Sequence, residues 1–95
     1  MKLVALYKNP ADPEAFEKRY FTGHAPLMEK APGLREMKIT RFKKTLAGDG
    51  FYMMVEMDFG DKETFNAAMQ SREMAAAGKD VNEFAADLLT LMIAE

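Results

Sequence analysis

Between Phe51 and Phe59 every second residue is apolar. Phe51, Met53, Val55, Met57 and Phe59 fall on one side of an extended chain, and Tyr52, Met54, Glu56 and Asp58 on the other. A period of two with one apolar side predicts a strand lying over a core. The run Leu34 to Thr45 alternates as well, with Met37, Ile39 and Arg41 opposed to Lys38, Thr40 and Phe42. Between the two lies Ala47-Gly48-Asp49-Gly50, residues that tolerate positive φ, so the pair reads as a hairpin. Lys2 to Lys8 is a third strand, stopped by Asn9-Pro10. Leu88 to Ala94 is almost wholly apolar, the pattern of a strand covered on both faces. Periodicity alone does not separate it from a helix; its place after a helix decides for a strand.

Elsewhere the period lengthens. Asp12 followed by Pro13 predicts a helix start, and Phe16, Tyr20, His24 and Leu27 then form one face. Pro26 lacks an N–H for the carbonyl four residues back, which predicts a break over Gly23 to Pro26, a short second helical piece and a stop at Pro32-Gly33. Gly60-Asp61 caps a further helix with Phe65, Ala68 and Met69 as its buried stripe. Ser71 starts a short turn ending near Gly78, and Asp80 and Glu83 have the spacing of a capping box for a last helical segment anchored by Phe84.

The order strand, helix, strand, strand, helix, strand predicts an α+β fold of the ferredoxin-like βαββαβ type, one domain over residues 1–95. Its four-stranded antiparallel sheet carries helices on one face. Those helices cover one face only. The strands have apolar residues on both, with Val4 and Leu6 opposed to Leu3, Ala5 and Tyr7, and Met54 opposed to Met53 and Val55. A bare apolar face is rare on monomers, so a face-to-face homodimer is expected. The alternative is a monomer with that face wetted around Lys38, Thr40, Glu56 and Asp58.

Composition narrows the partners. A net charge of -2 gives no basic surface for nucleic acid or an anionic membrane, and no apolar run reaches spanning length. The chain has no cysteine and one histidine, which leaves no disulfide framework and no typical zinc set, and agrees with a cytoplasmic location. No Gly-rich phosphate loop follows a strand and no nucleotide or flavin motif is present, so neither cofactor nor metal is expected.

His24 is the only side chain that titrates near neutrality, and it sits at the expected helix break. It reads as a general acid or base for a ligand in an apolar pocket, or as a partner for carbonyls freed by that break. Tyr20 lies one turn before it, and Tyr7 ends the first strand. Each offers an aromatic wall and a hydroxyl, so His24, Tyr7 and Tyr20 form the candidate catalytic set. Tyr52, Arg41, Met54 and Leu27 are the candidate ligand-binding residues. Arg41 either stabilises an enolate or phenolate or pairs with Glu56 or Asp58 across the hairpin.

Tyr20-Phe21-Thr22-Gly23-His24-Ala25-Pro26-Leu27, with Tyr7-Lys8, Asp12-Pro13 and Pro32-Gly33 in the same order, resembles the EthD family of the dimeric α/β-barrel superfamily, first associated with ethyl tert-butyl ether degradation. The segment Asp80-Val81-Asn82-Glu83-Phe84 is similar too, so the resemblance covers essentially the whole chain. It implies a ferredoxin-like dimer with a pocket near His24. It also implies an oxidoreductase or monooxygenase-like enzyme acting on an apolar or aromatic oxygenated metabolite. Relatives on this fold include cyclases, isomerases and dehydratases, and a non-catalytic carrier of a hydrophobic intermediate is the other class of reading.

Overall fold

A computed structural model describes residues 1–95. The strands are β1 (Lys2–Tyr7), β2 (Glu36–Arg41), β3 (Met53–Asp58) and β4 (Leu89–Ala94). They form one antiparallel sheet in the order β2-β3-β1-β4, the ferredoxin-like arrangement expected for this order of elements. The helices are α1 (Pro13–Arg19), a π-helical turn (Tyr20–His24), α2 (Ala25–Met28), α3 (Lys62–Met69) and α4 (Arg72–Ala85).

The sheet face that buries its side chains is the one the alternation selects. Met53, Val55 and Met57 of β3 are buried, as are Leu3, Ala5 and Tyr7 of β1. Leu3 faces Met57 and Ala5 faces Val55, so the register keeps both apolar rows on one side. Phe16, Phe65, Ala68, Val81 and Ala85 close the core from the helices.

Helix starts follow local chemistry. Asp12 accepts from the Ala15 N–H at 3.1 Å, with Pro13 in the first turn where no partner is needed. Asp61 accepts from Thr64 at 2.8 Å, and Ser71 caps α4 through Met74 at 3.2 Å. Ser71 therefore opens not a short turn but a helix of 14 residues that runs through Gly78. Asp80 and Glu83 lie inside it, so their capping-box spacing is a coincidence of sequence. No orphan N–H exists there for Asp80 to accept, and its carboxylate turns elsewhere.

The expected break at Gly23 to Pro26 is the π-helical turn, closed by the Ala25 N–H to the Tyr20 carbonyl. Four-residue spacing drifts about 40° per step around an α-helix. One wider turn absorbs that drift, which lets Phe16, Tyr20, His24 and Met28 all be buried. Leu27 is displaced to the half-buried flank.

β4 departs from expectation. Its pattern predicts cover on both faces, yet Leu91, Met92 and Ile93 are 55%, 41% and 63% exposed in the single chain. The helices do not reach over this edge, and its other face is open.

Candidate functional site

The sheet and the helix layer border a partly open cavity of about 190 Å³. Its floor is Leu3, Ala5, Tyr7, Val55, Met57, Leu89 and Leu91 from three strands. Its helical wall is His24, Met28, Met69, Met74, Ala77, Gly78 and Val81. Twelve of these fourteen residues are hydrophobic, and His24 and the Tyr7 hydroxyl are the polar exceptions among the side chains. No lysine, arginine or carboxylate lines it, so an ionised ligand would enter without a counter-charge.

His24 is 2% exposed. Its Nδ1 lies 3.0 Å from Asp80 Oδ2 on α4. Asp80 in turn receives a forked pair from Arg19, with Nη2 to Oδ1 at 2.6 Å and Nη1 to Oδ2 at 3.2 Å. The Arg19 bond first, and the His24 bond with it, hold the Asp80 carboxyl below the usual carboxylate range. An ionised Asp80 accepts a proton bond from Nδ1–H, which assigns that tautomer and leaves Nε2 with its lone pair free. Burial pushes the His24 pKa down, and Asp80 opposes this only in part, so the ring is neutral at pH 7. Phe84 packs against both side chains, its ring 5.7 Å from the imidazole and 4.5 Å from the Arg19 guanidinium carbon.

Arg19 reaches Asp80 by crossing the π-helical turn above Gly23. A Cβ at position 23 would stand 2.5 Å from Arg19 Nη1, so the glycine is the gap through which the guanidinium passes.

Tyr7 lines the cavity, and burial pushes its pKa up to about 12, so it stays protonated and can donate. Tyr20 lies behind it, fully buried, with ring centroids 5.6 Å apart. The Tyr20 hydroxyl faces the Tyr7 hydroxyl without reaching full hydrogen-bond geometry, and burial raises its pKa strongly. Tyr20 does not border the cavity; it packs against Tyr7, Phe16 and His24.

The other candidates lie elsewhere. Arg41 pairs with Glu17 of α1 at 2.8 Å rather than with Glu56 or Asp58, and its guanidinium sits 5.1 Å from the Phe21 ring centre. The chain bends at Tyr52, one residue before β3, and its hydroxyl donates to the same Glu17. That bond first, then Arg41, lowers the Glu17 pKa. The cluster ties α1 to the hairpin and borders no part of the cavity. Met54 is on the open sheet face, paired with Leu6 and Thr40. Leu27 borders a shallow surface depression with Lys30, Arg72 and Glu73. Sequence reasoning missed Asp80 and Arg19. Asp80 showed only as a capping-box residue and Arg19 only on the outer flank of a helix, positions that local rules assign to a cap and to solvent. No group of three or more His, Asp or Glu side chains is gathered closely enough to hold a metal ion.

A ferredoxin-like α+β layer pair bordering an apolar cavity, with a carboxylate-backed histidine in its wall, defines the class of protein. Residues 8–87 match the EthD domain, and the chain belongs to that family. It is similar to the crystal structure of an EthD family protein from Bacillus halodurans, with 50% identity, a TM-score of 0.92, and 99% of this chain and 95% of that one covered. A dimeric ferredoxin-like protein of unknown function from Thermobifida fusca shares the fold at 18% identity and TM-score 0.66, covering 98% and 89% of the two chains. SnoaB, a cofactor-independent oxygenase from Streptomyces nogalater, shares it at 18% identity and TM-score 0.61, covering 99% and 91%.

Proposed function

We propose that this protein is a homodimeric enzyme that binds a neutral, apolar or aromatic oxygenated molecule in the cavity and abstracts a proton from it with His24. One observation carries the reading: Nδ1 of a buried, neutral histidine at the cavity wall is held by an ionised Asp80. This pairing orients Nε2 as base and stabilises the imidazolium that forms, as a carboxylate does for a catalytic histidine in general. The Tyr7 hydroxyl donates to the oxygen of the resulting phenolate or enolate. Such an anion is what dioxygen oxidises in an oxygenase and what is reprotonated at a second carbon in an isomerase. The likeness to a cofactor-independent oxygenase supports the first course. Apolar cavities of roughly 150 Å³ hold benzene, so about 190 Å³ suits a ligand of one or two rings. The homodimer is supported by the apolar open face of Val4, Leu6, Met54 and Met92 and by the likeness to a dimeric protein of this fold.

The test is incubation with neutral one- and two-ring phenols and aryl ketones in deuterium oxide, reading deuterium at carbon by mass spectrometry and oxygen uptake by electrode. We expect exchange with at least one compound and its loss by roughly 100-fold or more in His24→Ala. Tight binding with no exchange and no oxygen uptake across the panel would favour the carrier reading instead.

A further inference from the structure

Five large apolar side chains stand in solvent on the single chain, and they fall into two groups. Phe42 (41%) and Leu46 (89%) are on the β2–β3 loop, and Leu91, Met92 and Ile93 are on β4. We infer that in the dimer the β2–β3 loop of each protomer wraps the β4 edge of its partner, setting the partner's Leu46 on Leu91 and Ile93 and thereby roofing the cavity. This rests on the homodimer proposed above and adds what the second copy contributes to the site.

Register places the β4 side chains. Leu91 lies opposite Ala5 and Ile93 opposite Leu3, both on the helix-facing side, while Met92 lies opposite Val4 on the open side. A sheet laid flat on the open face therefore covers Met92 and leaves Leu91 and Ile93 wet. Since Leu91 lines the cavity, the chamber stays open along that edge. Only a segment that turns around the edge reaches both sides. The loop between Arg41 and Met53 has eleven residues, far beyond the 2–5 usual for a hairpin. Five extended residues reach about 17 Å, more than the ~10 Å between packed sheets.

The two sheet edges differ in the same sense. β2 carries Glu36, Lys38 and Arg41, charges that guard an edge. β4 reads Leu-Thr-Leu-Met-Ile-Ala, with no charge and no proline, and pairs with β1 without interruption. Exposed Lys43 and Lys44 of the loop complement exposed Asp87 and Glu95, which bracket β4. Two-fold symmetry makes the contact twice and buries both groups at once.

The chain has no cysteine, so engineered pairs report without background. Leu46→Cys with Ile93→Cys should give a disulfide-linked two-chain species under mild oxidation. Leu46→Cys with Glu63→Cys, on the outer first turn of α3, should not. In parallel, Leu46→Asp, at a position with no packing role in the single chain, should weaken binding of the neutral two-ring fluorescent probe 1-naphthol about tenfold. A two-chain mass by sedimentation without the disulfide overturns the loop placement and leaves the dimer. A one-chain mass overturns both. The disulfide with unchanged probe binding in Leu46→Asp overturns the roof.

Discussion

His24 and Asp80 are 56 residues apart in the chain and 3.0 Å apart in space. Asp80 fixes which ring nitrogen carries the proton, and Arg19 fixes Asp80. Asp80→Asn removes the charge that selects Nδ1–H while preserving shape. We expect the 15N shifts of His24 to move from an Nδ1–H pattern in the parent protein toward an Nε2–H pattern in the variant. Arg19→Lys cannot fork onto a carboxylate and should give a smaller move in the same direction. Unchanged ring shifts in Asp80→Asn would sink the assignment.

The same burial makes stability depend on pH. The folded His24 pKa lies below the unfolded value of about 6.5, chiefly through desolvation. Between those two values the unfolded chain binds more protons, so stability rises with pH across the window. The contribution is complete above about 6.5 and is lost as pH falls through the folded value. Asp80, held low by Arg19, stays ionised throughout this range. Thermal unfolding from pH 5 to 7.5 should show a rising Tm in the parent and a flatter profile in His24→Gln.

Tyr20 buries a hydroxyl whose contact with the Tyr7 hydroxyl falls short of hydrogen-bond geometry. Tyr20→Phe should therefore stabilise the fold, by about 1 kcal/mol, because an unsatisfied buried polar group costs roughly 1–3 kcal/mol. Urea unfolding measures it. A loss of stability instead would mean that the hydroxyl is satisfied in solution.

Two helical glycines should respond oppositely to alanine. A Cβ at Gly78 meets nothing within 4 Å, so Gly78→Ala should gain about 0.5–1 kcal/mol from helix propensity. At Gly23 the added carbon meets Arg19, so the propensity gain should vanish and the Arg19–Asp80 pair should loosen. Paired denaturation curves compare them. Equal gains would refute the packing role of Gly23.

The fold was legible because burial writes itself locally. Leu3-Ala5-Tyr7 and Met53-Val55-Met57 repeat every second residue because a sheet buries every second residue, and no distant information is needed to read that. The site was legible only in part. His24 and Tyr7 stood out by type and by position at the end of an element. Asp80 did not, because its partner lies on a different element and its spacing to Glu83 imitates a local motif. Strand logic offered Arg41 the hairpin neighbours Glu56 and Asp58, and Tyr52 was assigned to a ligand pocket. Glu17, which binds both Arg41 and Tyr52, arrives from α1 through the tertiary fold. The four-residue spacing of Phe16, Tyr20 and His24 was visible, whereas the π-helical turn that it demands is an answer the packing supplies.

Four methionines, Met28, Met57, Met69 and Met74, furnish much of the chamber's surface. Unbranched thioethers yield to a guest's outline, so the room sorts visitors by polarity more than by contour. They are also oxidisable: one sulfoxide among them would plant a strong dipole in a dry wall and spoil it for greasy guests. Were peroxide formed in the proposed reaction, it would degrade the very upholstery that admits the next molecule, and turnover would fade unless a reductase restored the sulfur.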